Sequence, residues 1–185
     1  MEYRKGILKQ ALAQSLRELM LKRLFSKITI KQICDDTGVI RATFYNYFDD
    51  KYDCLDYIVY EDIAETAMPF VEKGDLRGAL KTVFTVVQDN KEFYRIAYDI
   101  TGQNNFEDMV KNNLQKCLNE FLNKYRRKGY LEKYSSNLLA RYYANSLEFA
   151  VHYFVFDRKE HSVDAMVQMT VDLMTNLFKD FSTSN

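Results

Sequence analysis

Almost nothing in this chain can stop a helix. A single proline, Pro69, and six glycines stand in 185 residues, so long stretches contain no residue that removes a backbone donor or frees φ. Between these breakers the apolar residues recur every three or four positions. Ile7, Leu8, Ala11, Leu12, Leu16, Leu19, Met20 and Leu24 mark one stripe along a helix over Arg4–Leu24. The same spacing predicts helices at Ile30–Asp36, Arg41–Phe48, Lys51–Met68, Leu76–Asp89, Lys91–Asp99, Phe106–Lys128, Ser136–Phe156 and Val163–Phe181, with Pro69 marking either the end of the third of these or a kink in it. The connections between them, such as "EKGD", "TGQN", "RKGY" and "DRKEHS", are short and polar. The expected fold class is all-α, with only the terminal "STSN" expected to be disordered.

The formal net charge is zero, but it is unevenly spread. Residues 1–51 carry ten Lys and Arg against six acids, a net of +4, which leaves −4 over the remainder. Such a split suits a DNA-binding module on an acidic body. The three cysteines, Cys34, Cys54 and Cys117, are far apart and in no CxxC spacing. Together with the lack of a signal peptide, they predict reduced thiols in a cytoplasmic protein. Charges interrupt every hydrophobic stretch before it reaches the roughly 18 residues of a membrane span, so no membrane partner is expected.

Two short helices joined by "TGV", and braced by a longer one before them, outline a helix-turn-helix. Thr29 stands at the N-cap of the first, and Gly38 can take the positive φ of the turn. Asp49 or Asp50 caps the helix that follows. In "TGVIRATFYNYFDDK", Phe44 and Phe48 are four apart and share a face that should turn inward, toward Leu12, Leu16 and Ile33. Arg41, Thr43, Tyr45, Asn46 and Tyr47 then face outward. Arg41 can pair with a guanine edge or hold a phosphate, and Thr43 offers a methyl to thymine. Tyr45 and Tyr47 can hydrogen-bond phosphates. Lys51, at the start of the next helix, is placed to favour a phosphate, as are Thr29 and Lys31 at the first short helix.

The stretch "FSKITIKQICDDTGVIRATFYNYFDDKYDCLDYIV" resembles the N-terminal domain of the TetR/AcrR family of bacterial transcriptional regulators. The matching features are "T-x-x-x-I", "GV" in the turn, "TFYNYF" on the second short helix and "DDKYDCL" opening the next; the match covers roughly residues 4–60. The resemblance implies a helix-turn-helix domain over residues 1–50, linked by the helix 51–68 to a ligand-binding and dimerisation domain over 51–185. It puts Thr29, Lys31, Arg41, Ala42, Thr43, Tyr45, Asn46, Tyr47 and Lys51 where the family contacts DNA. One residue departs from the pattern: Ile40 stands where the family often has a serine or another small polar residue. The departure has two readings, a lost cap costing about 1 kcal/mol or a contact with a thymine methyl, and the sequence does not choose between them.

The resemblance further implies a one-component regulator, expected to be a repressor. It would bind a palindromic double-stranded operator as a homodimer and be modulated by a small-molecule ligand, which would alter the spacing of its two DNA-binding domains. The alternative is a co-activator of the same fold acting through a protein partner. "NKEFYRIAYD" and "LLARYYANSLEFAVHYF" are similar to the C-terminal type found in Firmicute members, which includes dihydroxyacetone-kinase activators. A dimer interface is expected on the last two helices, at Tyr142, Ser146, Phe149, Tyr153, Met166, Thr170, Leu173, Met174, Leu177 and Phe181. Pocket candidates on the middle helices are Phe84, Phe93, Tyr94, Phe106, Met109, Val110, Asn113, Tyr143, Phe149, His152 and Tyr153. Of the two histidines, His152 is expected in a buried hydrogen bond and His161 in solvent.

Enzyme chemistry finds no foothold. The sequence has no GxSxG elbow, no Gly-rich phosphate loop and no HExxH. Its two histidines, nine apart and without nearby cysteines, do not make a zinc site. Asp35/Asp36 and Asp49/Asp50 sit at predicted helix ends, where capping explains them. Neither a cofactor nor a metal is expected.

Overall fold

The structure is a computed structural model that describes residues 2–126 and 133–175, with side chains from residue 6 onward. The described residues form helices and no strand. In order these are α1 Glu2–Met20, a 3₁₀ turn Phe25–Lys27, α2 Ile30–Thr37, α3 Arg41–Phe44 and α4 Lys51–Val59. A π turn, Tyr60–Glu65, leads into α5 Thr66–Val71, α6 Leu76–Asp89, α7 Lys91–Ala97, α8 Phe106–Tyr125, α9 Ser136–Phe156 and α10 Val163–Thr175. The expected helix ends at Lys128 and Phe181, and the terminal "STSN", lie outside the described residues.

Three helices differ most from expectation. α1 ends at Met20, and Leu24, expected on its apolar stripe, lies beyond it and is exposed. α3 closes after Phe44, and the chain to Phe48 continues as turns, with Asn46 N–H on the Thr43 carbonyl at 3.2 Å and Tyr47 N–H on Phe44 at 2.9 Å. The helix from Lys51 does not stop at Met68; it runs on through Pro69 to Val71. Pro69 offers no N–H to the carbonyl four residues back, and the chain just before α5 is wound as the wider π turn.

The chain divides into two compact units, Met1–Glu61 with Glu92–Met109, and Asp62–Lys91 with Val110–Asn185. In the first, Leu12, Leu16, Met20, Ile28, Ile33, Phe44, Leu55 and Ile58 are fully buried. Segment 92–109 brings a ring cluster: Phe106 meets Phe93, Tyr94 and Tyr98 edge-on, with centroids 6.1, 5.5 and 5.1 Å apart. Edge-to-face pairs of this kind add to the area they bury. The Arg17 guanidinium of α1 covers the outer ring, 4.5 Å from the Phe93 centroid.

In the second unit, α6 packs against α5, α9 and α10. Phe84 meets Phe154 edge-on at 5.5 Å, while Lys81–Asp164 (2.8 Å) and Arg77–Gln168 (2.6 Å) tie α6 to α10 at the surface. Cys34, Cys54 and Cys117 are free and buried. Burial pushes the Cys117 thiol up to about 11, which keeps it protonated and unreactive. Among the described residues, no helix is long and apolar enough to cross a membrane.

Neither histidine has the burial expected of it. His152 is exposed on α9, its ring 4.6 Å from that of Phe156. His161 is half-buried near the end of the α9–α10 connection, where its Nε2 lies 2.7 Å from Asp157 Oδ2 and 3.2 Å from Tyr153 Oη. The Tyr153 hydroxyl, followed by the His161 ring, holds the Asp157 carboxyl well below the usual carboxylate range. A carboxyl shifted this way stabilises the fold at every pH above about 4, where the unfolded chain's aspartate ionises, and the contribution fades as pH falls further. Asp157→Asn is therefore expected to flatten the decline of stability below about pH 4, measured by denaturant titration across the acid range. Parallel acid limbs in parent and variant would contradict this role.

Candidate nucleic-acid interface

The recognition segment is assembled by local rules that can be followed residue by residue. Thr29 opens α2 with a capping box: its hydroxyl accepts from Gln32 N–H at 3.3 Å, and Thr29 N–H donates to Gln32 Oε1 at 2.9 Å. α2 ends at Gly38, whose φ of +69° is the left-handed conformation that costs glycine nothing. Ser15 of α1 then fastens α2 from behind, donating to the Ile33 carbonyl at 3.2 Å, with Asp36 Oδ2 at 3.3 Å.

Faces sort cleanly in the next ten residues. Phe44 and Phe48 are buried, their rings 5.5 Å apart, and Phe48 continues to Tyr57 of α4 at 5.5 Å. Lys9 of α1 lies over that pair, 4.0 Å from the Tyr57 centroid. On the other side Ile40, Arg41, Ala42, Tyr45 and Asn46 are exposed, and Thr43 and Tyr47 are half-exposed. Thr29 and Lys31 are exposed at the start of α2 as well, with Lys31 at the long distance of 4.0 Å from Asp35. At such an exposed pair the attraction is worth little, so the ammonium keeps most of its field. Lys22, Arg23 and Lys27, which sequence reasoning counted only as charge, are exposed on the segment leading into α2.

Lys51 stands apart. It was expected to reach a phosphate; instead its ammonium donates to the carbonyls of Phe25 (2.8 Å), Ile28 (3.0 Å) and Ser26 (3.4 Å) and lies 4.6 Å from the Phe25 ring. All three donors of a lysine are thereby used on one loop. Burial lowers the Lys51 pKa from its ordinary value. Asp50 sets the lysine's place: as N-cap of α4 it accepts from Tyr52 N–H (2.7 Å) and Asp53 N–H (2.9 Å).

The eleven pocket candidates belong to both compact units. Phe93, Tyr94, Phe106 and Met109 belong to the first compact unit and the other seven to the second. Phe84, Phe93, Tyr94, Phe106, Met109, Val110 and Asn113 are buried core residues, while Phe149 and His152 face out. The second unit holds an apolar cavity of about 30 Å³ lined by Val71, Leu80, Val83, Leu114, Cys117 and Leu147, room for about one water. None of the eleven lines it. A 3/4 aromatic pattern marks burial, and burial in a solid core reads the same as burial round a pocket.

Of the residues expected at a dimer surface, some are exposed and some are not. Along α9, Leu138, Tyr142, Asn145, Phe149, His152 and Phe156 recur at steps of three and four and are all exposed, Tyr142 by 67% and Phe149 by 64%. Ser146, beside that stripe, and Leu173 on α10 are also exposed; Tyr143, Tyr153 and Met174 are half-exposed. Met166 and Thr170 are buried within the protomer, on a helix that packs against both α6 and α9. Leu177 and Phe181 lie outside the described residues.

A family model described as a transcriptional regulator C-terminal region, of TetR type, matches residues 75–176. Among curated proteins, the HTH-type dhaKLM operon transcriptional activator DhaS of Lactococcus lactis subsp. lactis (strain IL1403) is 26% identical over 101 residues. That stretch is 55% of this chain and 53% of the relative, so the chain spans about half the length of the curated protein it matches. Among solved structures, a dihydroxyacetone kinase operon activator DhaS superposes with a TM-score of 0.69 at 21% identity, over 96% of this chain and 99% of that one. That likeness shows the fold.

Lys51→Met keeps the aliphatic stem and removes the ammonium. It is expected to lower the unfolding free energy by about 2 kcal/mol, the scale of charge-assisted bonds to part-buried carbonyls, read by chemical denaturation of the full chain. Unchanged stability would mean that water satisfies those carbonyls equally well.

Proposed function

The chain belongs to the TetR family of transcriptional regulators, and from that premise we propose that it binds a palindromic DNA operator as a homodimer. It is a regulator and not an enzyme. The observation that carries the reading is the division of one short segment: two rings buried, and an arginine, a tyrosine, an asparagine and an alanine exposed beside them. In this reading Arg41, Ala42, Thr43 and Asn46 meet base edges in the major groove. Thr29, Lys31, Tyr45 and Tyr47 hold the backbone, and Lys51 positions the loop before α2 rather than touching DNA. The partner protomer docks on the α9 stripe through Tyr142, Ser146, Phe149 and Tyr153, with Leu173 and Met174 of α10 at its margin. An exposed aromatic row at helical spacing supports this, since solvated helix faces are normally polar. Acting on operator DNA, the protein works in the cytoplasm.

Both relatives carry the names of operon activators, which supports activation as the sign of regulation in place of the repression expected from sequence. A second reading is a co-activator of this fold working through a protein partner, to which the exposed apolar residues along α9 offer a surface. A stoichiometric protein partner retained after DNase treatment, with operator affinity unmoved by small molecules, would support it.

Selection of operator from random or genomic DNA with the purified chain tests the main reading. Binding is expected to fall steeply with salt. Tyr47→Phe should weaken all sites alike, while Arg41→Ala should cost about 1–3 kcal/mol at one base position and relax preference there. Phe149→Glu should dissociate the dimer in sedimentation. No enriched sequence, or an Arg41→Ala variant with unaltered preference, would contradict it.

A further inference from the structure

Ile40 is the most exposed large apolar residue among those described, at 72%. It precedes α3 in extended backbone, φ −87° and ψ 158°, and makes no side-chain hydrogen bond to the helix it opens. A serine, threonine, asparagine or aspartate at that position would accept a hydrogen bond from the first turn. Isoleucine forgoes that bond and also leaves its branched side chain in water, so neither capping nor burial within the protomer accounts for it.

Single exposed apolar residues are ordinary on protein surfaces, but two things distinguish this one. Its neighbours Arg41, Ala42, Tyr45 and Asn46 are exposed with it, on a segment whose other face is pinned by Phe44 and Phe48. Its β-branch also restricts χ1, so the apolar group is held stiffly beside side chains suited to base edges. Major-groove base edges are polar apart from the C5 methyl of thymine.

We propose that Ile40 is a specificity-determining residue, its side chain packing on the C5 methyl of a thymine in each half-site. The proposal rests on the reading of α2 and α3 as the DNA reader and adds to it a base preference set by apolar contact. The missing cap is then the local consequence of placing a hydrophobic group where the groove presents one.

Replacing thymidine by deoxyuridine removes only that methyl. The selected operator is resynthesised with one symmetric pair of thymidines replaced at a time, and binding of the full chain is followed by fluorescence anisotropy. One pair of replacements is expected to weaken the parent about fourfold per half-site, the loss for one buried methyl-sized group. Ile40→Ser, which regains a cap and should melt no lower than the parent, is expected to bind the thymidine and deoxyuridine operators equally. Ile40→Val should keep part of the difference. The proposal is overturned if every deoxyuridine operator binds the parent like the original, or if Ile40→Ser keeps the full loss. Specific binding without methyl dependence removes this proposal alone; no specific binding at all removes the DNA-binding reading with it.

Discussion

A helix of four residues cannot hold its own shape in water, because the nucleating turn fixes several dihedrals for very few hydrogen bonds. The segment Arg41–Phe44 is such a helix, and what holds it is the burial of Phe44 and Phe48 against the rest of its unit. Full burial of a phenylalanine is worth about 1.5–3 kcal/mol, enough for two rings to offset the cost of ordering one turn. Every exposed side chain in the segment takes its direction from those rings. In the proposed reading Arg41, Ala42, Tyr45 and Asn46 must be presented as a fixed set, which needs this anchoring more than it needs helix length.

The frame behind the rings is closed by polar contacts that run between distant parts of the chain. Lys51 reaches back to carbonyls of residues 25, 26 and 28, and Asp50 fixes the start of the helix that carries it. Ser15 and Lys9 bring α1 onto α2 and α4. Segment Glu92–Met109 joins the same compact unit, with Arg17 over Phe93. The order of the recognition surface therefore depends on residues far from it in sequence.

Much of this was legible in the sequence, for a physical reason. The 3/4 spacing reports which face of a helix is buried, so α2, α6 and α9 fall within about a residue of expectation, and the inward turn of Phe44 and Phe48 could be read from their separation. What spacing does not report is the partner of a polar group. Nothing local told that Lys51 would spend its ammonium on a loop 23 to 26 residues earlier, or that His161 would meet a carboxylate and a tyrosine hydroxyl. Nor does spacing separate core from cavity, which is why candidates such as Phe84, Phe93, Tyr94 and Phe106 could be read as buried and no further. Ile40 lies between these cases: the sequence marked it as a departure, and its exposure favours one of the two explanations left open.

The proposed function has two such surfaces acting together on one DNA duplex, which requires them to meet successive major grooves on one face. Methylation interference on the selected operator, with guanine N7 as the major-groove probe, tests this most directly. The account predicts two clusters of interference related by a dyad and separated by about one helical turn, 10–10.5 base pairs. A single cluster, or interference confined to minor-groove positions, would contradict it.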